Sequence, residues 1–408
     1  MSWAPRHAVV LVVGGLLAAA CGGLSSESDA TPAPSSSHVI EEYPDAITRH
    51  LDRLASAPRP VTNSAMPPRH LDTETFPVSL VDRSLIVLGG PPPDGIPPID
   101  DPRFEVASEV DWIEPEEPVL VLLLDGEERA YPIQVMIWHE VVNDVVAGHP
   151  VTATYCPLCN SGVVFNRQVG DNVLDFGTSG GLYQANLVLY DRQTETLWTQ
   201  FDGRAVVGTL VGEQLATVPT SMVSWNDYLL DHPDGSVLSR DTRNPKPYGR
   251  NPYNAYDQRT APVAGFFTGE PDKTLPPLER IVGISTTDEA LAVPTDSLAK
   301  VGVASTTLGG RPIALWHLPG TASALNDADL ASGEDVGSTG VFYAQVAGQP
   351  ADFKRVERGF VDDVTESTWN ILGEAIAGPD EPLDHVGTFW FSWATFRVEA
   401  VLFDPTTE

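Results

Sequence analysis

An internal repeat is the feature that most constrains the fold of this chain. The segment VFNRQVGDNVLDF, which begins at Val164, matches VFYAQVAGQPADF, which begins at Val341, without a gap. Farther along, YDRQTETLW and VDDVTESTW end at Trp198 and Trp369. Because a sequence repeat of this size usually marks one structural unit used twice, we expect the chain to contain two similar halves.

Each half consists of short apolar stretches separated by Gly, Asp and Pro, a pattern typical of short strands joined by turns. The clearest helix pattern is YPIQVMIWHEVVNDVV at 131–146, where apolar residues recur at steps of three and four. Its counterpart begins at Pro294, as the first begins near Pro132, and proline is favoured in a first helical turn. We therefore predict an α+β fold dominated by β-strands, with two pseudo-repeat halves and few helices forming one compact unit.

The N-terminal residues 1–20 resemble a secretory signal peptide. A short basic segment precedes an apolar run that is too short to span a membrane and ends in small residues directly before Cys21. We expect an exported protein of the cell envelope that faces outside the cytoplasm, anchored to the membrane by lipid on Cys21. Ala18 stands where the usual lipid-attachment motif has Leu, so cleavage near Ala20 without lipidation is the alternative.

Composition divides the rest of the chain into five segments. Residues 21–39 are rich in Ser, Pro and Ala and have little apolar surface to bury, so we predict a flexible tether. A lead-in at 40–111 is followed by repeat one at 112–231 and repeat two at 275–403. The inter-repeat loop, 232–274, is dense in Pro, Gly, Asn, Arg and Tyr. Its tyrosines favour an ordered loop laid over a surface, and a solvated linker is the alternative.

The charge of the chain excludes one class of partner. Lys and Arg number 24 and Asp and Glu number 56, which gives a net charge of −32. A phosphate backbone would be repelled, so we expect no nucleic-acid partner. The acidic residues are spread along the chain, which indicates solubility rather than an acidic binding tail.

Two of the three cysteines form the motif Cys156-Pro-Leu-Cys159 in repeat one. Strand-like VTATY precedes the motif and GVVF follows the turn-forming NSG, so we predict that it closes a β-hairpin with both sulfurs facing one point. Repeat two has Leu318 and Thr321 at the corresponding positions. We therefore expect chemistry in repeat one, with repeat two keeping the scaffold alone.

The first interpretation of the motif is thiol redox chemistry, which would make the protein a thiol-dependent oxidoreductase. A Cys-x-x-Cys loop lowers the pKa of one cysteine and places the other for intramolecular resolution. Export to an oxidising compartment agrees with a dithiol that cycles. The partner would be a protein thiol or a small molecule. A thioredoxin fold is not expected, because a turn and a strand follow the motif where thioredoxin has a long helix.

The second interpretation is a metal site. Cys-Pro-Leu-Cys resembles half of a zinc knuckle, in which a tight turn directs two thiolates at one ion. The chain has no second cysteine pair, so His139 and Met136, three residues apart on the predicted helix, would complete the ligands. Such a soft ligand set favours copper over zinc.

The third interpretation is a structural disulfide that closes the hairpin. So short a loop gains little from loop-closure entropy, because that stabilisation grows with the length of the loop. Redox and metal chemistry are therefore favoured over this interpretation.

Several motifs together resemble a bacterial family catalogued as domain of unknown function 3179. They are YPIQVMIWHEVVND, TYCPLCNSGVVFNR, FGTSGGLY, LVLYDRQTETLWTQFDGRAVVG, SRDT, YGRNPY and STWNILGEAIAG, between about Tyr131 and Phe396. Members resemble exported or lipid-anchored proteins, and some are described as selenoproteins with selenocysteine at the cysteine motif. The resemblance implies redox chemistry at Cys156 and Cys159.

The repeat sorts the other family-like positions into two groups. Four have like partners in repeat two and are predicted to be structural, through turn hydrogen bonds and a packed indole: Asp191, Thr194, Glu195 and Trp198. Four have no like partner and are candidates for the surroundings of the sulfurs, where a cation would favour the thiolate: His139, Asn143, Asp144 and Arg167.

Overall fold

A computed structural model describes residues 79–375, 378–379 and 384–407. The predicted signal peptide at 1–20, the tether at 21–39 with Cys21, and the lead-in up to residue 78 lie outside the described residues. All described residues belong to one unit of the chain.

The described part is dominated by short strands with four helices, as the sequence predicts. In chain order, the strands up to residue 238 are β1 (Ile86–Leu88), β2 (Phe104–Val106), β3 (Pro118–Leu124), β4 (Glu127–Pro132), β5 (Val141–Val146), β6 (His149–Cys156), β7 (Ser161–Asn166), β8 (Gln168–Val169), β9 (Asn172–Val173), β10 (Phe176–Tyr183), β11 (Asn186–Asp191), β12 (Leu197–Thr199), β13 (Arg204–Val207), β14 (Thr217–Val218), β15 (Ser221–Ser224) and β16 (Ser236–Leu238).

The remaining strands begin after the inter-repeat loop. They are β17 (Arg280–Ser285), β18 (Ala290–Pro294), β19 (Val303–Leu308), β20 (Arg311–Leu318), β21 (Ser338–Tyr343), β22 (Gln345–Val346), β23 (Gln349–Pro350), β24 (Phe353–Val356), β25 (Gly359–Asp362), β26 (Thr368–Trp369), β27 (Glu374–Ala375), β28 (Gly378–Pro379), β29 (His385–Phe389) and β30 (Val401–Leu402). The helices are α1 (Ile133–His139), α2 (Trp225–Asp231), α3 (Thr295–Val301) and α4 (Trp390–Phe396).

The strand pairing among β3–β16 recurs among β17–β30. The order β15-β3-β4-β16 has its counterpart in β29-β17-β18-β30, and the last strand of each is parallel to its neighbour. The antiparallel triplet β5-β6-β7 corresponds to β19-β20-β21, and β10-β11-β12-β13 corresponds to β24-β25-β26-β27. Strand β16 lies at 236–238, so the first set of sheets extends past residue 231, where repeat one was expected to end.

The same small-residue contact occurs in both sets. Gly203 lies against the ring of Phe165, and Gly373 lies against the ring of Phe342. Both glycines have positive φ angles, of 67° and 81°. A side chain at either position would collide with the ring and strain the backbone, so glycine is required at both.

The predicted helix at 131–146 is much shorter than expected. Helix α1 ends at His139, because Glu140 adopts the left-handed conformation, and the chain continues as strand β5 from Val141. Five of the six residues of β5 are buried. Apolar residues buried on both faces of this strand continue the apolar run of the helix, so the periodicity alone does not mark the boundary.

Candidate functional site

The cysteine motif closes the hairpin of β6 and β7, as predicted. Strand β6 ends at Cys156, β7 begins at Ser161, and these two residues are paired in register. Asn160 completes the turn in the left-handed conformation, with a φ of 50°, which asparagine tolerates better than most residues. Cys156 and Cys159 are both free thiols, 1% and 0% exposed.

Hydrogen bonds from the inter-repeat loop and from strand β29 fix the backbone of this turn. The Tyr256 hydroxyl of the inter-repeat loop donates to the carbonyl of Leu158 at 2.9 Å. The carbonyl of Cys159 accepts from the Thr388 hydroxyl at 2.8 Å and from the N–H of Phe389 at 3.1 Å. The site is therefore completed by strand β29, which follows the inter-repeat loop in sequence, whereas both cysteines come before that loop.

The surroundings of Cys159 favour its thiolate. Burial opposes ionisation, but the polar side chains around the sulfur, Cys156, Asn186, Ser161 and Ser392, outweigh it and lower the pKa of Cys159. The Asn186 amide donates to Sγ at 3.0 Å. That amide is fixed in turn, because its oxygen accepts from the N–H of Phe201 at 3.1 Å.

Cys156 is expected to remain a thiol. Burial raises its pKa well above the ordinary value, and the hydrogen bond that its S–H donates to Cys159 raises it further. The two sulfurs are therefore unequal: Cys159 ionises more readily than Cys156, which keeps its proton. This division of roles is what thiol exchange requires of an attacking and a resolving cysteine.

Glu140 is a buried carboxyl beside the two sulfurs that the sequence analysis did not identify. It is 5% exposed and lies at the end of α1 with a φ of 60°. The Tyr253 hydroxyl donates to Glu140 Oε1 at 3.4 Å. Burial raises the pKa of Glu140 to about 8, and the charge of an ionised Cys159 contributes to this rise. The carboxyl is therefore mostly protonated at pH 7.

His139 makes hydrogen bonds with both ring nitrogens. Nδ1 lies 2.7 Å from the carbonyl of Pro97 and Nε2 lies 2.8 Å from the hydroxyl of Tyr248. A neutral imidazole that donates from Nδ1 and accepts at Nε2 satisfies both contacts. Burial lowers the pKa of His139, which agrees with this neutral form.

The ligand set expected for a metal is not assembled. Among the described residues, no three side chains of His, Cys, Asp or Glu are grouped so that they could hold a metal ion. Cys156, Cys159 and His139, three members of the ligand set predicted for copper or zinc, are therefore not grouped in this structure. Met136 is fully buried in the main hydrophobic core.

The other three predicted shell residues join strands rather than contact the sulfurs. Asn143 exchanges hydrogen bonds with the backbone of Phe176, linking β5 to β10. Asp144 accepts from the Tyr131 hydroxyl at 2.8 Å. The Arg167 guanidinium donates to Asp175 and to three backbone carbonyls. The groups that favour the thiolate are thus an amide, two hydroxyls and a thiol, where a cation was expected.

The positions that the repeat assigned to structure do have that role. The Trp198 indole donates to Asp191 Oδ2 at 3.0 Å, and the Trp369 indole donates to Asp362 Oδ2 at 2.9 Å. In each case a threonine three residues after the aspartate donates through its N–H and its hydroxyl. The prediction of turn hydrogen bonds and a packed indole is confirmed.

The inter-repeat loop is ordered and lies over the cysteine site. Besides its two tyrosine contacts with Glu140 and Leu158, its backbone accepts a hydrogen bond from the Trp138 indole at Arg250 and one from Ala185 at Phe266. The loop therefore contacts the end of α1, the cysteine turn and the residue before β11.

These features define a β-rich protein in which two sets of sheets and a connecting loop enclose an unlinked cysteine pair. A family model described as protein of unknown function DUF3179 matches residues 93–400, more than half of the chain. The chain therefore belongs to this family. Comparisons with curated proteins and with solved structures gave no match. Within the described ranges, no helix is both long and apolar enough to span a membrane.

Proposed function

We propose that the protein is a thiol/disulfide redox protein in which Cys156 and Cys159 are the exchanging pair. The observation that carries the proposal is a pair of free thiols in one buried hairpin turn, with the Asn186 amide donating to Cys159 Sγ at 3.0 Å. The opposite directions of the two pKa shifts, down for Cys159 and up for Cys156, agree with it. A purely structural pair would not need hydrogen bonds directed at one sulfur.

The proposed reaction has two exchanges. The Cys159 thiolate attacks a disulfide of the partner, a mixed disulfide forms, and one partner thiolate leaves. Cys156 then loses its proton and attacks the Cys159 sulfur, which gives the intramolecular disulfide and releases the second partner thiolate. The partner is reduced by two electrons and the protein is oxidised by two. The reverse sequence oxidises a partner dithiol.

We place this chemistry outside the cytoplasm, on a chain anchored by lipid at Cys21. Support comes from the apolar run and small residues before Cys21 and from the Ser- and Pro-rich segment after it. The intact mass of the mature chain from the membrane fraction tests this proposal. The expected mass includes acyl groups and begins at Cys21, and release of a Cys21→Ala variant from the membrane would agree with it.

A redox titration tests the central proposal. The untagged protein is equilibrated in dithiothreitol buffers of varied ratio, quenched with acid, alkylated under denaturing conditions and weighed. We expect reversible interconversion, with one midpoint, between a dithiol form and a disulfide form that has two hydrogens fewer. After alkylation the dithiol form carries two more alkyl groups than the disulfide form. The paired variants Cys156→Ser and Cys159→Ser should each abolish the transition. Two thiols that remain reduced at every ratio, or an added metal mass in protein purified without chelator, would refute it.

A further inference from the structure

Glu140 occupies a position that has glycine in the other set of sheets. The N–H of Glu140 donates to Met136 and that of Gly302 donates to Leu298, both at 2.7 Å. Their φ angles are 60° and 77°. The carbonyl of each then accepts a 2.9 Å bond from the centre strand of the adjacent triplet, at Tyr155 and at His317. The two helix ends are therefore built in the same way around different residues.

Glutamate is a poor choice for this helix end on structural grounds. A left-handed residue at the C-terminal end of a helix is most often glycine, because a Cβ is unfavourable there. The side chain is also buried, and burying a carboxyl requires compensation. The contact with Tyr253 at 3.4 Å is a long hydrogen bond and gives little of it. The backbone geometry of this corner thus gives no reason for a carboxyl.

The corner at Glu140 is, however, joined to the cysteine turn, because the Glu140 carbonyl accepts the N–H of Tyr155, the residue before Cys156. The charge of an ionised Cys159 acts on Glu140, and the charge of an ionised Glu140 acts on Cys156. The titratable groups that face it are Tyr253 from the inter-repeat loop and the two cysteines from the hairpin turn. All four side chains lie in the same buried region.

We propose that Glu140 is the general acid and base of the dithiol site, which delivers a proton to the leaving thiolate and accepts one from Cys156. The inference rests on the proposed function. It assigns the proton transfers that thiol exchange needs in a buried site.

Glu140 carries a proton in each of the two exchanges. The Cys159 thiolate attacks a disulfide RSSR′ and expels R′S⁻, which takes the proton of Glu140 and leaves as R′SH. The Glu140 carboxylate then accepts the proton of Cys156, whose thiolate attacks the Cys159 sulfur and expels RS⁻. Glu140 protonates RS⁻, and the products are the protein disulfide, RSH, R′SH and a Glu140 carboxylate. The single negative charge of the starting thiolate ends on the carboxylate.

Two neutral small disulfides with different leaving groups test this role. Dithiodipyridine releases a stable thiolate that needs no acid, whereas hydroxyethyl disulfide releases a basic one that does. With Glu140→Gln we expect the rate of hydroxyethyl disulfide reduction to fall about 100-fold, the size of a general-acid contribution, while the rate with dithiodipyridine changes less than about twofold. The ratio of the two rates is the readout, because it cancels changes in access to the sulfurs.

Glu140→Gly is the matched control, since Gly302 shows that glycine fits this corner. It should retain or raise the midpoint of thermal unfolding and show the same selective slowing. If both variants keep the wild-type ratio of rates, whether the two rates are unchanged or equally slowed, Glu140 has no acid–base role and the dithiol function stands. If the wild type and Cys159→Ser react alike with both disulfides, the proposed function itself fails.

Discussion

The Asn186 amide donates a 3.0 Å hydrogen bond to Cys159 Sγ from the first residue of strand β11. It is oriented by the backbone of Phe201 and lies 3.1 Å from the amide oxygen of Gln200. The thiolate is thus stabilised by a neutral dipole that is fixed in place before any partner arrives. A fixed amide in a dry site needs no rearrangement when charge forms on the sulfur.

Replacing Asn186 by alanine should raise the pKa of Cys159. Loss of a hydrogen bond to a charged group costs about 1.5 to 3 kcal/mol, which corresponds to about 1 to 2 pKa units. The ultraviolet absorbance of the thiolate followed against pH measures the shift, with Cys159→Ser as the blank. A variant that melts earlier but titrates like the wild type would show that Asn186 serves the fold alone.

From two buried carboxyls we predict that the free energy of unfolding falls as pH rises. Burial raises the pKa of Glu140 to about 8 and that of Asp191 to about 6. Each therefore holds its proton more tightly in the folded protein than in the unfolded chain. The resulting stability is complete below the unfolded pKa and is lost as pH rises through the folded pKa.

Urea unfolding between pH 4 and pH 9 measures this slope. Glu140→Gln should remove the part of the pH dependence that extends to about pH 8. Asp191→Asn should remove only the part that extends to about pH 6, a total change in the free energy of unfolding of about 3 kcal/mol at most. Equal slopes in the wild type and both variants would contradict the assignment of raised pKa values to these groups.

The inter-repeat loop should control access to the cysteines. Tyr256→Phe removes the hydrogen bond to Leu158, worth about 1 kcal/mol, so the population with the loop open should rise about fivefold. Alkylation of the native protein by iodoacetamide, read by mass, measures this population. Tyr343→Phe, in the set of sheets without cysteines, is the control and should alkylate at the wild-type rate. Identical alkylation rates for the wild type and both variants would show that the loop does not control access to the cysteines.

Gly203→Ala and Gly373→Ala should each be strongly destabilising. An added Cβ would come within 2.6 Å of the Phe165 ring in the first case and 2.1 Å of the Phe342 ring in the second, at backbone angles unfavourable to alanine. Together, overpacking and left-handed strain cost about 3 kcal/mol. Chemical denaturation tests both. If Gly373→Ala leaves the free energy of unfolding unchanged while Gly203→Ala lowers it, the two glycine–phenylalanine contacts are not equivalent in energy.

Much of the fold could be predicted because its signals are local. The turn-forming NSG marked the hairpin at Cys156 and Cys159, and the matched aspartates and tryptophans marked the repeated corners. The helix at 131–146 was predicted too long, since β5 is buried on both faces and continues the apolar pattern of α1. A single left-handed residue, Glu140, ends the helix, and glutamate gives no sequence signal for that conformation.

The surroundings of the sulfurs were harder to predict. Comparing the repeats selected His139 and Arg167, which differ between the halves but make their hydrogen bonds elsewhere. Asn186 and Ser392 lower the pKa of Cys159 from segments distant in sequence, and nothing in an isolated asparagine or serine indicates a thiolate. Glu140 could have been found, because the offset that aligns His139 with Val301 places it on Gly302.

The bond between Thr388 and the Cys159 carbonyl has a consequence for the order of events during synthesis. The two residues are 229 positions apart. The hairpin that carries the cysteines is made long before the strand that completes their enclosure, so a growing chain presents both thiols uncovered. A newly made molecule therefore exposes two thiols that the finished one encloses.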